Sequence, residues 1–146
     1  MTNTKGFTLV ELLVVISIIA VLVLMGLRLY LVQQDIAKNA IVKANVGTIQ
    51  TLIQANMADT DYDDATPAAR IAAALGDITD ATGCHNPYTG GTGNINVIKA
   101  SGDTLIDGDD IDYGKIAIAS PEKNVFKIQG LDQDGKLFGE VLQAIK

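Results

Sequence analysis

Tryptophan is absent from this chain, and cysteine and histidine occur once each, at Cys84 and His85. A lone cysteine rules out a disulfide within the chain, so no cysteine framework holds the fold together. Cys84 and His85 are adjacent and cannot by themselves make a tetrahedral zinc site, and one histidine cannot form a His-rich cluster. Cys84 is expected to remain a thiol or, were it exposed, to join subunits through an intersubunit disulfide. Aromatic residues make up 5% of the chain although 48% is hydrophobic, so Ala, Ile, Val and Leu carry nearly all of the apolar character. Basic charge is also short, with 11 Lys and Arg against 17 Asp and Glu and a net charge of −6. A general nucleic-acid binder needs a basic stripe to displace counterions from phosphates, and this balance argues against one. Motifs of catalysis are missing too. No Gly-rich phosphate loop leads into Lys-Ser/Thr, and there is no nucleophile elbow. The chain is not expected to be an enzyme.

What is present in excess is one apolar run. Between Phe7 and Leu27 the only polar side chains are Thr8, Glu11 and Ser17. As a helix this run spans roughly 31 Å, the thickness of a bilayer's hydrocarbon core. Lys5 precedes it and Arg28 ends it. With one basic residue on each side the charge asymmetry is weak, and it is mainly the shortness of the leading end that makes it expected to stay cytoplasmic while the C-terminal bulk crosses. An ordinary cleaved secretory signal is the alternative. Such signals have an apolar region of about 7–15 residues and a small-x-small cleavage site. This run is longer, and Met25-Gly26-Leu27 offers no such site.

Glu11 breaks the apolar pattern. A charged side chain in lipid costs on the order of 2.5–3.5 kcal/mol at a helix centre, and less near its edge. A cut after Gly6 would give Phe7 a free ammonium four positions before Glu11. The first helical turn also has unsatisfied N–H groups that favour an acidic neighbour. If another copy supplies the ammonium, charge neutralisation draws each new subunit into register. The competing reading is a glutamate that snorkels to the headgroups or is protonated.

The stretch Lys5-Gly6-Phe7-Thr8-Leu9-Val10-Glu11-Leu12-Leu13, with the apolar run behind it, resembles the prepilin signature of type IV pilins and type II secretion pseudopilins. The resemblance covers about residues 5–30. It implies cleavage by prepilin peptidase between Gly6 and Phe7, N-methylation of Phe7, and a role for Glu11 in assembly. Further implied partners are other copies of the chain, in a homopolymer, and the inner-membrane pilus assembly machinery. The implied location is the cytoplasmic membrane for the precursor, then an extracellular fibre. Many members have a proline late in the apolar run, where this chain reads Met25-Gly26-Leu27-Arg28. Gly26 weakens the helix there by about 1 kcal/mol relative to Ala, so melting within a fibre is less secure.

No proline interrupts residues 7–66, so the helix is predicted to continue to about Ala58. Val42, Val46, Ile49, Ile53 and Met57 recur at the helical period and form a stripe to rest on a sheet, with Lys38, Lys43 and Gln50 facing elsewhere. A helix of that length is roughly 78 Å long, more than a domain of this size can bury. Asp59 to Asp64 reads as a solvated acidic loop. Thr66-Pro67 opens a short helix stopped at Gly76 and packed through Ile71, Ala72 and Leu75. Residues 83–93 are loop by composition. Strands are predicted at Ile95–Ala100, Lys115–Ala119, Asn124–Gln129 and Leu137–Leu142, with turns at Ser120-Pro121 and Asp134-Gly135. The fold class is α+β: a long N-terminal helix, transmembrane in its first half, on a small antiparallel β-meander head, as in pilins. The expected divisions are a leader at 1–6, a transmembrane and assembly helix at 7–28, its continuation at 29–58 and the head at 59–146.

No metal or cofactor is expected. Were calcium bound, its candidate ligands would be Asp107, Asp109, Asp110 and Asp112, which cluster around Gly108 but lack EF-hand spacing. A solvated acidic loop is the plainer reading. Asp132-Gln133-Asp134-Gly135 needs only a hairpin turn. The leading functional expectation is a structural subunit of a type IV pilus, serving adhesion, motility or DNA uptake. The alternatives are a pseudopilin of a type II secretion system and, in another class, a monomeric membrane-anchored binding module.

Overall fold

A computed structural model of the protein describes residues 6–77, 83–93, 97–109 and 111–146. Two compact units emerge, Met1–Ile36 and Ala37–Lys146. The first helix, α1 (Leu9–Asn56), begins in one and ends in the other. It starts where Thr8 caps it, and it stops where the amides of Met57 and Thr60 bond the carbonyls of Ile53 and Asn56. The chain then enters Asp59-Thr60-Asp61, two residues short of the predicted end.

In the first unit every side chain from Phe7 to Gln34 is exposed. In the second unit the predicted stripe is the core. Val42, Val46, Ile49, Ile53 and Met57 are all buried, together with Asn45, whose Nδ2 donates to the His85 carbonyl at 2.9 Å. Helix α2 (Pro67–Asp77) begins as expected, with the Ala69 amide donating to Thr66 Oγ1 at 3.3 Å. Its inner face is Ile71 and Ala74, with Ala73 and Leu75 half-buried, whereas Ala72 is exposed. One helical step separates that face from the predicted one. Arg70 of α2 is buried as well, its guanidinium donating to Ser120 Oγ at 2.8 Å, the Ser120 carbonyl at 2.6 Å and the Asp64 carbonyl at 2.9 Å. It ties helix, loop and sheet together.

The sheet has four strands in the order β1 (Ile98–Ala100), β2 (Ile116–Glu122), β3 (Val125–Leu131) and β4 (Leu137–Ile145). Pairs β2–β3 and β3–β4 are antiparallel, but β1 and β2 are parallel, which corrects the all-antiparallel expectation. Alternation in sequence reveals a strand and not its direction. Here the 102–115 segment carries the chain back to the starting end of β1. Residues 95 and 96 of the predicted first strand lie outside the described residues, and the Val97 amide donates to the Gly93 carbonyl at 3.2 Å.

Ser120-Pro121 is not the turn. Both residues lie in β2, where pairing with β3 shifts between Ala119 and Glu122. Proline brings no N–H to the ladder, so the irregularity falls where a donor is missing. The reversal occurs at Lys123-Asn124, with Asn124 at a φ of 55°, a conformation asparagine tolerates. Asn124 also anchors the acidic loop, accepting the Tyr62 amide at 2.6 Å and donating its own amide to the Tyr62 carbonyl. Tyr62 is therefore buried, edge-on to Phe126 at 5.6 Å, within a loop expected to be solvated throughout.

The turn at Asp134-Gly135 is as predicted, with Asp132 Oδ1 accepting the amides of Asp134 and Lys136 at 2.9 Å each. Beyond it β4 swells away from β3. Gly130 pairs with Phe138 and Ile128 with Leu142, so Gly139, Glu140 and Val141 stand opposite Gln129 alone. Two of the groups thought to face away from the sheet reach towards it, and the third, Lys38, reaches the 83–93 loop. Gln50 Nε2 donates to the Gln143 carbonyl of β4, the Lys43 ammonium lies 5.7 Å from the Phe138 ring centre, and that of Lys38 lies 4.9 Å from Tyr88. Long side chains at the flanks of an apolar stripe extend over its borders.

Candidate functional site

Gly6 and Phe7 precede the first helix, and Phe7 is 77% exposed. Thr8 and Glu11 then form a reciprocal cap. Glu11 Oε2 accepts the Thr8 amide at 2.9 Å and the Thr8 hydroxyl at 2.8 Å, while the Glu11 amide donates to Thr8 Oγ1 at 3.3 Å. This is the Thr-x-x-Glu capping box, which satisfies orphan N–H groups at the helix start. It gives Glu11 a local task besides any role in assembly. The cap also orients the carboxylate: Oε2 is turned to Thr8, and Oε1 has no hydrogen-bond partner among the described residues. Thr8 was passed over in the sequence, although Thr followed three residues later by Glu ahead of an apolar run is a recognisable helix-start signal.

The helix behind this cap has a mean hydropathy of 2.9 over its most apolar 18-residue window and is long and apolar enough to cross a membrane. Ser17, the remaining polar group of the run, donates its hydroxyl to the Leu13 carbonyl at 2.7 Å. Intrahelical bonding of this kind lets a serine enter lipid without an unsatisfied donor.

The acidic loop of the head is built differently from a cation cage. Asp112 is buried and bridges two lysines, Lys99 Nζ at 2.7 Å and Lys115 Nζ at 3.0 Å, and it also accepts the Asp109 amide at 3.1 Å. Asp107 Oδ1 accepts the Leu137 amide at 2.8 Å, and the Asp109 carboxylate is 88% exposed. Asp110 lies outside the described residues. Among the described residues no three His, Cys, Asp or Glu side chains are grouped to hold a metal ion. The two ammonium groups supply the positive charge at Asp112. Added calcium or a chelator is accordingly expected to leave the head's melting temperature unchanged, and a clear calcium-dependent rise in calorimetry would overturn that expectation. Cys84 is a free thiol buried in the core cluster, so the exposure that an intersubunit disulfide would need is not met. The His85 side chain is exposed, and its backbone pairs with Thr92 in an isolated bridge.

With the cap, the apolar span and the head described, comparison with known proteins places the N-terminus. Residues 1–27 match the family model of the prokaryotic N-terminal methylation motif. This is the prepilin-type N-terminus of type IV pilins and pseudopilins. No curated protein and no solved structure matches the chain. The motif gives the chain a prepilin-type N-terminus, and the long apolar helix with a mostly antiparallel sheet behind it is an α+β, pilin-like architecture.

Proposed function

We propose that the chain is the structural subunit of a type IV pilus, polymerising through its N-terminal helix into an extracellular filament for adhesion, motility or DNA uptake. Prepilin peptidase cuts between Gly6 and Phe7, and the new amino group of Phe7 is methylated. Glu11, held by Thr8, offers its remaining oxygen to the amine of an adjacent copy. One observation carries this reading. The methylation motif runs directly into a helix whose side chains from Phe7 to Gln34 have no cover in a single copy. So large an apolar surface is stable only in lipid or against other apolar helices. Lipid serves the precursor, and further copies of the same helix serve the assembled form.

Mass spectrometry of fibres sheared from native cells tests the processing. The mature chain is expected to begin at Phe7 with one added methyl group. An intact Met1, or a different first residue, would remove the proposal, as would fibres that do not contain this chain.

A further inference from the structure

The N-terminal chemistry leaves two features of the head unit without a role. The first is a groove of about 390 Å³ beside the swollen part of β4, lined by Lys43, Val46, Gly130, Phe138, Glu140 and Leu142. Gly139 adopts a φ of 79° to make the swelling. Gly130 leaves no room for a side chain, since a Cβ there would stand 2.8 Å from Val42 and 2.9 Å from Phe138. Gly130 lets Val42 and Phe138 close onto the strand, and Lys43 and Glu140 are the charged residues of the groove's lining. Lys43 has no carboxylate partner among the described residues.

The second feature is Ile111. At 75% exposure it is the most exposed large apolar side chain of the head among the described residues. Described residues on both sides of it are anchored: Asp112 is held by two lysines, and the Gly108 amide bonds the Gly135 carbonyl at 2.6 Å. The knob is apolar, and it is flanked by the Asp109 carboxylate, 88% exposed and 4.0 Å from the Lys99 ammonium.

We infer that Ile111 of one copy seats in the β4 groove of a second copy, with Asp109 turned towards Lys43 and away from Glu140. Apolar knob meets apolar groove, and the Lys43 ammonium, which has no carboxylate partner among the described residues, meets an exposed anion that Lys99 approaches only to 4.0 Å. Knob and groove are different patches of one chain, and a copy that gives its knob to one neighbour and receives the knob of another makes a heterologous contact, which propagates instead of closing as a dimer. The inference rests on the polymer reading above and adds the head-to-head contact that such a fibre requires.

The test is made in the full chain carrying Ile111→Cys and Glu140→Cys, in fibres sheared from native cells and mildly oxidised. Cys84 is buried, so the introduced thiols dominate the chemistry. A ladder of dimers, trimers and longer species is expected on a non-reducing gel, with neither single variant laddering. Cells expressing the two single variants together should give dimers only. Intact fibres without a ladder, or equal ladders from a single variant, overturn the contact and leave the polymer reading standing. If the unmodified chain forms no fibres, both fall together. Should the cysteine variant fail to assemble, a charge exchange decides. Lys43→Asp and Asp109→Lys are each expected to lower fibre yield by roughly fivefold or more, as like charges are brought together, and in combination to restore it. A double variant no better than the singles would overturn the inference.

Discussion

Replacing Glu11 by Gln is expected to abolish fibre assembly while leaving helix capping and membrane insertion intact. The amide oxygen of Gln can still accept the Thr8 amide and hydroxyl, since a capping box takes Glu or Gln at this position. What is lost is the charge. On the proposed assembly, the ammonium of an incoming Phe7 would then enter an apolar environment with no counterion. Insertion scales put an unpaired charge at roughly 2.5–3.5 kcal/mol at a helix centre and at less near its edge. At about 1.4 kcal/mol per tenfold, fibre yield should fall by up to about a hundredfold. Glu11→Ala removes the cap as well, adding about 1 kcal/mol of helix-start instability. Immunoblots of sheared and membrane fractions separate the two effects. Ordinary fibre yield from the Gln variant would eliminate charge pairing as the assembly device.

The second large effect lies in the head. Asp112→Ala leaves Lys99 and Lys115, 15% and 17% exposed, without their shared carboxylate. Breaking a largely buried pair by removing one partner costs about 3–5 kcal/mol. That is a large part of the roughly 5–15 kcal/mol that holds a domain folded. Acid should reproduce part of the loss. Burial alone would raise the Asp112 pKa, but hydrogen bonds from Lys99, Lys115 and the Asp109 amide outweigh it and bring the group from 3.8 down to about 2. A carboxyl depressed in the folded state contributes stability above its unfolded pKa and loses it as pH falls through the folded one. The head should therefore lose on the order of 2 kcal/mol between about pH 4 and pH 2. Asp61, held low by the Lys146 ammonium, acts with the same sign. Melting temperatures of the detergent-solubilised chain against pH are the measurement. An acid limb equally steep in the Asp112→Ala variant would show that the loss arises elsewhere.

The parts of the fold legible in the sequence are those governed by local period or local turn chemistry. The stripe from Val42 to Met57 needed only the helical repeat, and Asp134-Gly135 needed only a turn. What stayed hidden depends on contacts distant in sequence. The burial of Tyr62 follows from Asn124, and the direction of β1 follows from a long return segment pinned at Asp112. The wrong turn at Ser120-Pro121 has the same origin, because proline also marks strand irregularities, and only the pairing partner distinguishes the two. At the N-terminus, Glu11 is legible as the one charge in an apolar run, whereas Gly6 and Phe7 are marked only by resemblance to the prepilin signature. The Thr8 cap is a local signal, Thr followed three residues later by Glu, and its hydroxyl orients that charge.

The swelling in β4 has one more consequence. This nine-residue strand forms a border of the sheet, and such borders recruit strands from neighbouring molecules through their open amides and carbonyls. Here the rail is broken twice, by the displaced Gly139–Val141 stretch and by the Gln50 amide that occupies the Gln143 carbonyl. On the proposed assembly, heads crowded together at high density would thereby be kept from zipping into a continuous cross-molecular sheet, and each would remain a discrete body whose neighbours meet it through side chains.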